Sequence, residues 1–156
     1  MNLVDLGVTI RSITISMKVK NEFREELKVL EILNWGEYFR KSWENSFAGH
    51  LSKEEKNAIH LDSFLWHLCS WAAVKYSTKE EAVRFFHAQE KDKCLFFYQH
   101  LDTVYKVENA KSLNVLDLLY NPSHILYGDI YVMDWEKKWT FMMTHERECG
   151  PYFICT

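Results

Sequence analysis

Near residue 92 the apolar side chains of this chain change their spacing, and that change limits the fold more than any other feature of the 156 residues. Before it they recur every three or four positions, the period of a helix packed on one side. After it they alternate or run continuously, as strands do. Leu27, Leu30, Leu33, Trp35, Phe39, Trp43 and Phe47 fall at helical spacing, behind Asn21 as a cap and Glu22, Glu25 and Glu26 as a first acidic turn. The spacing predicts one or two helices over residues 22–48, with Gly36 as a break. Ser52-Lys-Glu-Glu55 is a capping box and predicts a helix to about His60. Asp62 caps a third over residues 64–71, whose apolar face carries Phe64, Leu65, Leu68 and Trp71. Ser77 or Thr78 caps a fourth, with Glu80 and Glu81 at its positive end.

Residues 93–100 and 103–108 read as two strands joined by a tight turn near Leu101-Asp102. Residues 113–120 are a short helix or turn stopped by Asn121-Pro122, residues 129–134 and 139–146 are two more strands, and residues 151–155 add an edge strand that starts at its proline. Helices first and strands later predict an α+β fold, with N-terminal helices packed on one face of a C-terminal antiparallel sheet. Residues 17–156 are the length of one domain. Residues 1–16 stand apart as an arm: Val8, Ile10, Ile13 and Ile15 suit an edge strand, docked within the chain or across a two-fold axis. Monomer and homodimer are both compatible with this. Met17-Lys-Val-Lys-Asn-Glu offers a more typical soluble start than Met1.

Charge excludes one class of partner. Lys and Arg number 19 against 22 Asp and Glu, and the basic residues are interleaved with acids, so the excess that neutralises nucleic-acid phosphates is missing. The acidic balance leaves a basic protein as a partner. No run is apolar enough to span a membrane, and residues 1–16 lack the basic start and cleavage site of a signal peptide. The four cysteines, Cys69, Cys94, Cys149 and Cys155, form no C-x-x-C, and the reading is free thiols in a cytoplasmic protein.

No phosphate loop, nucleophile elbow or metalloprotease motif is present, so catalysis would rest on scattered residues. His145 is the foremost candidate. On a strand it would share one face with Trp139, Phe141 and Met143, ending an apolar row, while Glu146 points the other way. That divergence argues against the two chelating one metal, and a packed histidine bonded to backbone is the plainer reading. His60 and His67 lie about 10.5 Å apart along a helix, too far for one ion. His100 meets His145 only if their strands are neighbours. No metal and no cofactor are expected. Trp66, Trp135 and Trp139 are core if buried; if exposed, they suit a protein partner, since Trp dominates interface hot spots. Trp66, Trp71, Trp135, His145 and Glu146 are therefore the candidate binding residues.

The block Ile32-Leu-Asn-Trp-Gly-Glu-Tyr-Phe-Arg-Lys-Ser-Trp43, then Phe64-Leu-Trp-His-Leu-Cys-Ser-Trp71, Asp129-Ile-Tyr-Val-Met-Asp134, Trp139-Thr-Phe-Met-Met-Thr-His-Glu146 and Gly150-Pro-Tyr-Phe153 resembles a family of small proteins from spore-forming Gram-positive bacteria, domain of unknown function 4275. The resemblance runs over residues 27–153. It implies no catalytic residue, because the family carries no assigned activity. The two tail strands are also similar to the endings of bacterial immunity-type proteins, which bind and neutralise a toxin. Two functions follow as expectations. One is a non-enzymatic protein-binding module, of immunity or antitoxin type. The other is a small hydrolase or metal-dependent enzyme centred on His145, with His100 or Glu146 as helper.

Overall fold

The computed structural model describes residues 10–14 and 26–156. Its elements run β1 (Ile10–Thr14), β2 (Lys28–Ile32), α1 (Gly36–Phe47), α2 (Lys53–Ala58), α3 (His67–Ser70), β3 (Ser77–Thr78), α4 (Lys79–Ala88), β4 (Cys94–Tyr98), β5 (Val104–Val107), two 3-10 turns (Ala110–Ser112 and Val115–Asp117), β6 (Ile130–Asp134), β7 (Trp139–Met143) and β8 (Tyr152–Cys155). All eight strands join one sheet in the order β1-β2-β5-β4-β6-β7-β8-β3, and every neighbouring pair is antiparallel. The α+β class holds. The order of elements departs from helices first, because β1 and β2 precede α1 and β3 precedes α4.

The helices also lie on both faces of the sheet, not one. Phe39, Trp43 and Phe47 of α1, with Leu65, Trp66 and Leu68 around α3, pack on the face made by Ile32, Leu95, Phe97, Tyr131, Met133 and Met142. Ala82 and Phe86 of α4, with Leu113 and Leu118, pack on the face made by Val29, Phe96, Val132, Trp139, Phe141 and Phe153. The central strands β4 and β6 are therefore buried at every position, which is why Cys94-Leu-Phe-Phe-Tyr98 and Ile130-Tyr-Val-Met-Asp134 are continuous runs and do not alternate. Trp139 and Phe141 are buried as their alternation predicts, and Met143 is half-buried beside them.

Double coverage explains the largest departure from the sequence reading. Lys28–Ile32 is a strand, not the start of a helix. Val29 faces one core and Ile32 the other, so apolar residues occur at both parities and imitate helical spacing. Asn21, Glu22 and Glu25, read as that helix's first turn, lie outside the described residues. Gly36 is the first residue of α1. Its N–H donates to both the backbone oxygen and Oδ1 of Asp102 at 3.0 Å, and a Cβ there would stand 2.5 Å from the Leu101 carbonyl oxygen. Only glycine lets the helix start this close to the β4–β5 turn.

Two smaller expectations resolve locally. The capping box at Ser52 is formed, Glu55 N–H donating to Ser52 Oγ at 3.1 Å and Ser52 N–H to Glu55 Oε2 at 2.7 Å. The third helix is a single turn from His67 to Ser70, so its residues do not sort as one helical face: Trp66 is buried and Trp71 is 55% exposed. Strand β8 is not an edge, since β3 pairs along its outer side. Among the described residues no helix is long and apolar enough to cross a membrane.

Candidate functional site: a ring surface on a buried polar base

The register Tyr98↔Ile130 of the two central strands sets Gln99, just past β4, against Asp129, just before β6; Gln99 N–H donates to the Asp129 carbonyl at 3.1 Å. By strand alternation Asp129 and Tyr131 share the α1–α3 face. All three side chains are buried there, and all three bind the same short segment. Leu65 N–H donates to Gln99 Oε1 at 3.1 Å, and Trp66 N–H to the Tyr131 hydroxyl oxygen at 3.3 Å. The Tyr131 hydroxyl donates to Gln99 Oε1 at 2.6 Å. Burial first, and then the nearby Asp129 charge, push the Tyr131 phenol well above its ordinary range, so it remains a donor. The Trp66 indole Nε1–H donates to Asp129 Oδ1 at 2.8 Å. A buried polar group without a partner is costly, and here the partners are the backbone and indole of residues 65–66.

Asp129 also holds His145. Its Oδ1 accepts the His145 backbone N–H at 3.0 Å, and the ring Nδ1 lies 2.9 Å from Oδ2 and 3.0 Å from Oδ1. A carboxylate only accepts, so Nδ1 is the donor of this bond. Gly128 makes the approach: a Cβ there would come 3.0 Å from the His145 Cβ and 3.1 Å from the His124 carbonyl oxygen.

His145 does not end the row of Trp139, Phe141 and Met143. Strand β7 stops at Met143, and Thr144 turns the chain, its Oγ1 donating to the Glu146 carbonyl at 2.7 Å and accepting Gly150 N–H at 3.1 Å. The turn carries the His145 ring across to Phe64 and Trp66, at centroid distances of 5.0 and 5.9 Å. It also overturns the divergence of His145 and Glu146: Nε2 and Glu146 Oε1 are 3.8 Å apart. His100 and His145 follow strands that are not neighbours, yet both lie against Phe64, His100 at 5.7 Å. His67 adds to the same cluster at 5.5 Å from Phe64 and 4.6 Å from Trp66, while its Nδ1 lies 3.0 Å from the His60 carbonyl oxygen. The His60 ring in turn meets exposed Trp71 at 6.2 Å. Ring contacts thus join His67, Phe64, His100 and His145, and the His60 carbonyl against His67 Nδ1 connects them to the His60–Trp71 pair.

The remaining candidates separate. Trp66 is buried beneath this surface. Trp139 is buried on the opposite face of the sheet, and Trp135 is half-buried at the far end of β6 with the Lys106 ammonium 4.4 Å from its ring centre. They form no common patch. Phe64, Gln99, Asp129 and Tyr131 were not singled out from sequence; a carboxylate opening a fully apolar strand was the available signal for Asp129.

As chemistry, the site offers one oriented imidazole beside one exposed carboxylate. Cys149 lies beside this carboxylate: burial and then its hydrogen bond to Glu146 Oε2, at 3.1 Å, push its thiol up, away from thiolate. Among the described residues no group of three or more His, Cys, Asp or Glu converges to hold a metal ion. The cavities described among these residues are lined by other side chains than Asp129, His145 and Glu146.

Fold and site together define a two-faced antiparallel α+β protein that presents an aromatic and imidazole surface, fixed from below. The chain belongs to the family described as "Domain of unknown function (DUF4275)", whose model matches residues 16–153. No curated protein and no solved structure matches it.

Proposed function

We propose that this protein is a non-enzymatic binding module of the cytoplasm, and that the ring surface from Trp71 to His145 is its recognition face for a basic protein. One observation carries the reading: three buried polar side chains beside and within the central strands hold residues 65–66 and His145 in place among half-buried and exposed rings. Rings that lose little freedom on association make strong contacts, and preorganisation removes much of the ordering cost. Exposed Glu146, its Oε1 3.8 Å from His145 Nε2, borders the surface and gives it an acceptor for a cationic partner. Neutralisation of a toxin is the narrower form of this reading, supported by the likeness of the tail strands to immunity-type proteins.

The test uses two surface variants that spare the core, Trp71→Ala and Glu146→Gln. Wild type and variants, immobilised, are exposed to extract of the source cells and the retained proteins identified by mass spectrometry. One stoichiometric basic protein, retained by wild type, lost by the double variant and eluted by raised salt, supports the reading. A partner retained equally by all forms would place recognition elsewhere. The Asp129–His145 pair is what favours the rival hydrolase reading. A hydrolytic activity toward model esters or phosphodiesters that His145→Ala abolishes would establish it instead.

A further inference from the structure

A second site lies on the face of α1, beyond the end of β6 opposite Asp129. Tyr38, Phe39 and Ser42 of α1, Leu95 of β4, Met133 of β6, and Trp135 and Lys137 of the β6–β7 turn enclose a hollow of about 210 Å³. Its floor is core: Phe39, Leu95 and Met133 are buried. Its walls are rings. Tyr38 is 48% exposed, yet it is braced edge-on against Trp35 at 4.9 Å and Phe39 at 5.1 Å. Trp135 is braced by the Lys106 ammonium 4.4 Å from its ring centre. Lys137 is the one ionisable charged group in the lining, and none of the seven lining residues is acidic. Ser42 adds a hydroxyl.

We infer that this hollow binds a small planar aromatic anion, one ring bearing a carboxylate. The volume equals that of about seven waters, which suits a single substituted ring. Tyr38 and Trp135 supply faces and edges for it, as aromatic pairs prefer offset or edge-on contact. Lys137 supplies the counter-charge at the rim, and the sign of the lining rejects a cation of the same shape. The inference is independent of the recognition face, since no residue is shared between them.

The experiment titrates the ¹⁵N-labelled protein with benzoate, benzyl alcohol and benzylamine and follows the indole N–H signals, with Trp135 assigned through Trp135→Phe. Benzoate is expected to shift the Trp135 signal saturably with a Kd of about 1 mM, the strength open to so small a ligand. Benzylamine should bind at least tenfold more weakly, since its charge repels Lys137. Lys137 has a φ of 63°, so the neutral variant is Lys137→Asn, which tolerates that backbone. It should weaken benzoate severalfold and leave benzyl alcohol unchanged. No saturable Trp135 shift up to tens of millimolar benzoate, benzylamine binding as tightly as benzoate, or an unchanged benzoate affinity in Lys137→Asn would each overturn the inference. None of these outcomes bears on the recognition face.

Discussion

Removing the Asp129 carboxylate should weaken the fold and loosen the ring surface at once. Its Oδ1 accepts the Trp66 indole N–H at 2.8 Å and the His145 backbone N–H at 3.0 Å, and Oδ2 lies 2.9 Å from His145 Nδ1. Asp129 is 3% exposed, so water does not readily replace it. Asp129→Ala leaves two to three donors without partners, each costing about 1–3 kcal/mol, so the expected loss is about 3–5 kcal/mol. For a chain of this length that lowers Tm by roughly 6–20 °C. Asp129→Asn separates the parts. Its carbonyl oxygen, placed at Oδ1, keeps the Trp66 and His145 N–H bonds, while its amide replaces Oδ2 opposite Nδ1. One of the two acceptors opposite Nδ1 is thereby replaced by a donor, while the carbonyl oxygen stays 3.0 Å from it. Urea denaturation should show a loss of about 1.5–3 kcal/mol, the size of one hydrogen bond to a charged group. An alanine variant within 1 kcal/mol of wild type, or an asparagine variant as destabilised as the alanine one, would refute the argument that Asp129 holds the site.

Phe141 is fully buried and stacked on Phe86 at 4.5 Å, so Phe141→Ala should cost about 3–5 kcal/mol in chemical denaturation. His87 Nε2 accepts the Val115 N–H at 3.1 Å, and burial first, then Lys91, hold its pKa below the ordinary imidazole range. The unfolded chain therefore binds this proton more readily than the native one, and the stability His87 contributes falls as pH drops below about 6.5 and through the folded pKa. Urea midpoints of wild type should decline more steeply from pH 7 to 5 than those of His87→Gln, and parallel curves would speak against this. The Lys79 ammonium donates to the carbonyls of Arg147, Glu148 and Gly150; Lys79→Met should cost about 1–2 kcal/mol and speed proteolysis within residues 146–151.

The four strands in the middle of the sheet were legible. Residues 94–98, 104–107, 130–134 and 139–143 fall inside the spans read from alternation and continuous apolar runs. Lys28–Ile32 was not legible because a strand covered on both faces has apolar residues at both parities, and a single sequence cannot separate that from a helix. The site was half legible. His145 and Glu146 were marked, but on an extended strand they diverge; the turn at Thr144 that brings them together depends on bonds to Glu146 and Gly150, and no spacing rule shows it. Trp66 was marked as a surface candidate. It acts from beneath, as the indole donor to a carboxylate 63 residues away in sequence.

That separation ties the ring surface to strand register. Gln99, Asp129 and Tyr131 reach residues 65–66 only because β4 and β6 pair with Tyr98 opposite Ile130. Slipping β6 by one residue would send Asp129 and Tyr131 to the face of α4 and bring Ile130 and Val132 toward α1. The apolar core would tolerate part of such a slip, since both faces take large apolar side chains: Tyr131 and Met133 on one, Ile130 and Val132 on the other. The polar base would not, because the slip strands the Trp66 indole and the Trp66 backbone N–H in an apolar interior. In a sheet packed on both sides, where apolar pattern alone specifies register weakly, these three polar side chains add specificity to the fold as well as support to the surface. The same bonds that select the register therefore hold the rings in the arrangement a partner would meet, and a variant that loosens one should loosen the other.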